Sequence, residues 1–192
     1  MRKEPIITFL LCTICVVLFL AIPENVKESL LTSPEKILSL QPLEWAKALL
    51  ASLLHYDFAH LFGNLLLISL IGYALEDRLG HLAFLKLLGY SVVGSLVLHV
   101  GLFPSSPVPF LGASVYAFGI VTAYCFLSCS SILKVLPIAI LSILLYQQWQ
   151  EGMQMYIGQA LGLINGGVAH WAHIGGACGA IIFVCSRPQA KH

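Results

Sequence analysis

Apolar residues gather into six long runs, over residues 6–22, 58–75, 87–103, 111–127, 134–149 and 168–184, each closed by polar or charged positions. A hydrocarbon core about 30 Å thick needs roughly 20 apolar residues per helix, with about 17 as the lower limit. The runs approach or reach that length. None alternates apolar and polar residues as a barrel strand does, and lipid offers the backbone no partner, so each is predicted to be a helix. Glu76, Asp77 and Arg78 close the second run, a Pro-Ser-Ser-Pro loop follows the third, and Pro137 falls in the first turn of the fifth, where its missing N–H costs little. Two segments between the runs are long. Residues 23–57 mix Pro, Glu and Lys with an apolar stretch, 43–54, and read as an external loop lying partly in the membrane interface. Residues 147–167 carry Gln, Gly, Met and Tyr without Lys or Arg and read as an external cap. The two halves show no paired broken helices of the kind that mark many transporters.

Composition strengthens the membrane reading. Of the 192 residues 58% are apolar and only 10% charged, against about 25% charged in ordinary soluble chains. The expectation is one polytopic all-α membrane domain over residues 1–192, surrounded by the lipid bilayer. A net charge of +1 with ten dispersed basic residues excludes a nucleic-acid partner. With a cytoplasmic N-terminus, Arg2, Lys3, Arg78, Lys86, Lys134, Arg187 and Lys191 fall inside, against Lys27, Lys36 and Lys47 outside, which favours an N-in, C-in bundle. The first run starts with basic residues as a signal peptide does. It is longer than the usual apolar region and lacks an A-x-A site, so it reads as a retained helix.

Polar groups inside a membrane are costly, so their positions carry the functional signal. His60 and Asn64 lie one turn apart near the external end of the second run. Ser114 stands at the external start of the fourth, just after Gly112, and His173 about one turn into the sixth. These four residues from three helices fall at one depth. A serine hydroxyl becomes a nucleophile when a base takes its proton, and His173 is the nearest base in depth, so the two form a candidate dyad. His60, the Asn64 amide and the free N–H of Ser114 are candidate donors to an oxyanion. No Asp or Glu shares that depth, Asp57 near the surface excepted, which leaves the imidazole to be oriented by packing. Ala172, Gly175, Gly176, Gly179 and Ala180 supply small-residue spacings for close helix approach. Metal binding by His55, His60, His170 and His173 is disfavoured, since no HExxH, carboxylate or thiolate completes a set. Cys12, Cys15, Cys125, Cys129, Cys178 and Cys185 read as small apolar residues without a disulfide. No acidic or basic ladder marks an ion path.

These residues together resemble the rhomboid intramembrane serine proteases. His60 to Asn64 is similar to that family's HxxxN, Gly72, Glu76 and Gly80 to its GxxxExxxG, Gly112-Ala113-Ser114 with Phe118-Gly119 to its GASGxxFG, and Ala172-His173-Ile174-Gly175-Gly176 to its AHxGG. His55 also has the family spacing. The resemblance covers all six runs in order. It implies Ser114 as nucleophile, His173 as base and then acid, His60 and Asn64 as oxyanion partners, and Phe118 as the ring that stacks on His173. It further implies a gate at the fifth helix and cap, no cofactor, single-span transmembrane proteins as substrates, and a bacterial inner membrane with the site facing outward. Glu76, a membrane's thickness from Ser114, is expected to bind loop amides and pair with Arg78 rather than to catalyse. Val115 stands where the family usually has glycine, and Trp45 with Lys47 only echoes its external Trp-Arg pair. A short chain of this kind resembles the rhombosortase-like branch that processes C-terminal anchors. Val115 motivates the alternative of a non-catalytic member that binds transmembrane clients.

Overall fold

The structure is a computed structural model and describes residues 4–106, 108, 109, 111–127, 135–161 and 169–187. Every regular element among the described residues is helical. Helix α1 (Ile6–Ala21) opens the chain, and three short helices, α2 (Glu24–Leu30), α3 (Pro34–Leu38) and α4 (Pro42–Ala51), follow where a loop was expected. Asp57 caps the next helix by accepting the His60 N–H at 2.7 Å. That helix runs as α5 (Phe58–Leu67), a π turn (Ile68–Gly72) and α6 (Tyr73–Leu79). Then come α7 (His81–Leu102), α8 (Ser114–Leu127), α9 (Val135–Ala160) and α10 (His170–Ser186).

Two continuous helices, Phe58–Leu79 and His81–Leu102, are long and apolar enough to cross a membrane, and Ile6–Ala21, Ser114–Leu127 and His170–Ser186 are shorter apolar helices. Their outward faces are apolar as well: Leu20 is 77% exposed, Phe9, Phe58 and Leu82 69%. Water would penalise such faces, whereas lipid does not. Cys178 and Cys185 are exposed, Cys15 and Cys125 are buried and Cys12 is half-buried. Cys129, Lys134, residues 162–168 of the expected cap and sixth run, and the termini lie outside the described residues.

Charge near a helix end does not stop the backbone, so the second helix passes the acidic residues to Leu79 and the third begins at His81, before Lys86. Gly80, at φ +79°, makes the turn between them. Glu76 is fully buried. Its carboxylate accepts the N–H of Ile7 at 2.9 Å, the N–H and hydroxyl of Thr8 at 2.7 Å each, and lies 2.7 Å from His81 Nδ1. The expected loop amides are thus the first turn of α1, whose positive end favours an anion, and His81 stands where Arg78 was expected. Gly72 leaves room for this docking, since a Cβ there would stand 3.2 Å from Thr8 Oγ1.

Helices α7 and α10 form the centre of the bundle. A Cβ on Gly175 would stand 2.6 Å from Ser95 Cα, and one on Gly94 2.9 Å from Gly179 Cα, so the two backbones touch. Ser95 Oγ donates to Ala172 O at 2.6 Å across this seam. One core cluster gathers Leu61, Ile68, Leu75, Phe84, Leu87, Ile120 and Phe183; a second gathers Val92, Leu96, Val100, Val115 and Ala172 under Ile37 and Ala48. The first loop is tied down from both sides. Glu44 accepts from Thr32 Oγ1 at 2.6 Å and Lys47 Nζ at 3.2 Å, Ser52 Oγ lies 2.8 Å from Tyr116 OH, and Ala51 O accepts the Gly112 N–H at 2.9 Å.

The fifth helix departs most from expectation. Instead of ending near residue 149 under a separate cap, α9 continues without interruption to Ala160. Gln, Glu and Met are good helix formers, and polarity alone does not end a helix. At Gly152 a Cβ would stand 2.7 Å from Trp171 Nε1, so the glycine lets this extension lie close on α10.

Candidate active site

Ser114 is the first residue of α8, and the chain reaches it through Gly112 at φ +101°, a conformation that other residues rarely adopt. A side chain at Gly112 would also collide with the His60 ring, its Cβ 2.7 Å from Cε1 and 2.8 Å from Nε2. His60 therefore lies against the turn that delivers the serine. Ala113 O takes the N–H groups of Tyr116 at 3.0 Å and Ala117 at 3.1 Å, which leaves the amides of Ser114 and Val115 as the first-turn donors of α8.

Ser114 Oγ lies 2.7 Å from His173 Nε2. His173 comes from the first turn of α10, and its ring stacks on Phe118, one turn beyond Ser114, with centroids 4.8 Å apart and planes 2° from parallel. The other ring nitrogen, Nδ1, lies 2.5 Å from Gln148 Oε1. That oxygen can only accept, so Nδ1 carries the proton and Nε2 presents a lone pair to the serine hydroxyl. The imidazole is held by a hydrogen bond as well as by packing. Gln148 was hidden in the sequence where the fifth run meets the expected cap; the signal for it was the Gln147-Gln148 pair at the end of that apolar run.

Asn64 and His55 form the opposite side. Asn64 is buried and its Nδ2 lies 3.0 Å from His55 Nε2, so among the described residues its hydrogen-bond partner is His55 rather than Ser114. His55 Nε2 also accepts the Ala113 N–H at 3.4 Å. A buried histidine thus joins the second helix to the residue before the serine. The His55 and His60 rings meet edge-on, 5.0 Å between centroids.

Burial, reinforced by the neighbouring His60, pushes the His55 pKa from 6.5 down to about 4. The neutral ring is the one that can accept from both donors. Because the folded value lies below the unfolded one, the stability associated with neutral His55 is complete above pH 6.5 and is lost as pH falls toward 4, by about 3 kcal/mol in all. Thermal unfolding of the purified protein should therefore weaken between pH 6.5 and 4. In His55→Gln, whose amide oxygen accepts without titrating, that decline should be smaller; an unchanged profile would remove His55 from this role.

Val115 is 2% exposed and packs into the second core cluster. It fills the core. A Cβ on Gly176 would meet Val115 O at 2.6 Å, so α10 lies tightly on the first turn of α8 at this point. Gly72, Glu76 and Gly80 hold α1 and the α6–α7 turn, apart from these groups.

Among known proteins, the family model described as Rhomboid domain matches residues 42–187. No curated protein matches the chain.

Proposed function

Since the chain belongs to the rhomboid family, a family of integral membrane proteins that are generally intramembrane serine proteases, we propose that it is an endopeptidase using Ser114 and His173. The observation that carries this reading is the 2.7 Å contact between Ser114 Oγ and an imidazole nitrogen whose partner nitrogen is anchored. Ser114 Oγ attacks the scissile carbonyl carbon while its proton passes to His173 Nε2. The tetrahedral oxyanion takes hydrogen bonds from the amides of Ser114 and Val115, from His60, and from the second amide hydrogen of Asn64. His173 then gives its proton to the leaving amine. Water, deprotonated by the same nitrogen, releases the acyl group and regenerates the serine.

In this reading six helices cross the membrane with both termini cytoplasmic, and the site opens to the external side of a bacterial inner membrane. The substrates are single-span transmembrane proteins cut near the outer leaflet. Phe118 keeps the plane of the His173 ring, and the Gly112 turn aims the serine.

A client-binding member without catalysis was motivated by Val115, but a side chain buried in the core gives that alternative little support. Labelling of the detergent-purified protein with a fluorophosphonate separates the two. Covalent modification of Ser114 that disappears in His173→Ala is expected; a folded protein that remains unlabelled would leave the client-binding reading.

A further inference from the structure

Gln148 lies on α9, whereas Ser114 and His173 lie on α8 and α10, so the geometry of the dyad depends on a third helix. Its Oε1 sits between two histidine nitrogens, 2.5 Å from His173 Nδ1 and 2.9 Å from His170 Nδ1. Glu151, one turn along α9, brings Oε2 to 3.2 Å from the same His170 nitrogen. Two residues three apart on one helix thus face two residues three apart on the other. The pairing is a clamp between the middle of α9 and the first turn of α10.

We propose that Gln148 is a positioning residue that fixes His173 in the Nδ1–H tautomer and makes this setting conditional on α9 resting against α10. The inference rests on the serine protease reading for its consequence, but not for its geometry. Stacking on Phe118 holds the plane of the imidazole and is indifferent to which nitrogen carries the proton. A hydrogen bond to an acceptor is not. With the proton on Nε2 the ring would point a donor at Ser114 Oγ and could not take the serine's proton. Helix α9 is peripheral: Ile143 is 58% exposed, Tyr146 55% and Trp149 46%, while α10 is packed backbone to backbone on α7. Displacement of α9 withdraws Gln148 from a base that otherwise stays in place. A transmembrane segment that moves α9 would therefore loosen the base until the clamp closes again.

The test combines ring ¹⁵N and ¹H spectra of histidine-labelled protein in detergent with the fluorophosphonate labelling rate, the His173 signals being assigned by their loss in His173→Ala. The wild type should show His173 as Nδ1–H. Gln148→Met, similar in length but without an acceptor, should lose that pure tautomer and label roughly 10²-fold more slowly. Gln148→Glu should keep the tautomer, shift the Nδ1 proton through its stronger acceptor, and label within about tenfold of wild type. Wild-type tautomer and rate in Gln148→Met, or an unmoved Nδ1 proton in Gln148→Glu, would overturn the proposal; the second arm decides if the methionine variant does not fold. A tautomer that follows residue 148 in a protein that never labels would instead refute the protease reading and leave the positioning role intact.

Discussion

Ser114→Ala should abolish cleavage of a single-span membrane substrate in liposomes, and His173→Ala should lower it by roughly 10³-fold or more. The two losses differ in origin. Alanine at 114 removes the hydroxyl that lies 2.7 Å from His173 Nε2, so no acyl-enzyme can form. Alanine at 173 leaves the hydroxyl in place but without an acceptor for its proton, and a neutral hydroxyl is a poor nucleophile. A 10³-fold loss corresponds to about 4 kcal/mol of transition-state stabilisation, within what one general base supplies. Thermal unfolding of each variant would show whether the fold is kept. Product formation by Ser114→Ala at the wild-type rate would end the assignment of this serine.

Gly179→Val should be the most damaging substitution to the fold. A Cβ at that position would collide with the carbonyl oxygen of Tyr90 and stand 2.7 Å from its carbon, and backbone cannot rotate out of the way as a side chain can. Helix α10 would have to move off α7, stretching the 2.6 Å bond from Ser95 to Ala172 O one residue before His173. Overpacking of a close-packed interior costs about 1–3 kcal/mol, more where backbone must shift. For a chain of this length that is a fall of roughly 2–12 °C in Tm, or failure to accumulate. Gly63→Ala and Gly101→Ala are the controls, since a Cβ at either site meets nothing within 4 Å. If Gly179→Val melts with those two, the α7–α10 seam is looser than its geometry indicates.

The spacing motifs placed Ser114, His173 and Phe118 on helix faces that the structure brings together, because a residue four along a helix lies one turn away whatever surrounds it. The same local logic found Glu76 as a binder of amides, though its partners turned out to be the start of α1 and His81. Local pattern failed where the answer lay across helices. Residues 150–160 read as part of a cap beyond the fifth run, yet they continue its helix, and Gln148 with Glu151 meets His170 and His173 on α10, which no reading of either segment alone reveals. Val115 looked like a defect beside the nucleophile, and only packing shows that its side chain goes into the core. Asn64, expected to face the serine, is engaged with His55, a residue whose spacing was visible and whose partner was not.

The order of apolar runs, the glycine spacings and the chemical types of the site residues determined by themselves that this is an all-helical rhomboid chain, because lipid leaves helices as the answer to long apolar runs and small residues set where they can touch. The tertiary structure alone decided which nitrogen of His173 faces the serine, what holds the other, and which helix carries that group. Hydrogen bonds between segments depend on distances of a few tenths of an ångström, and those are set by packing across the bundle rather than by order along the chain.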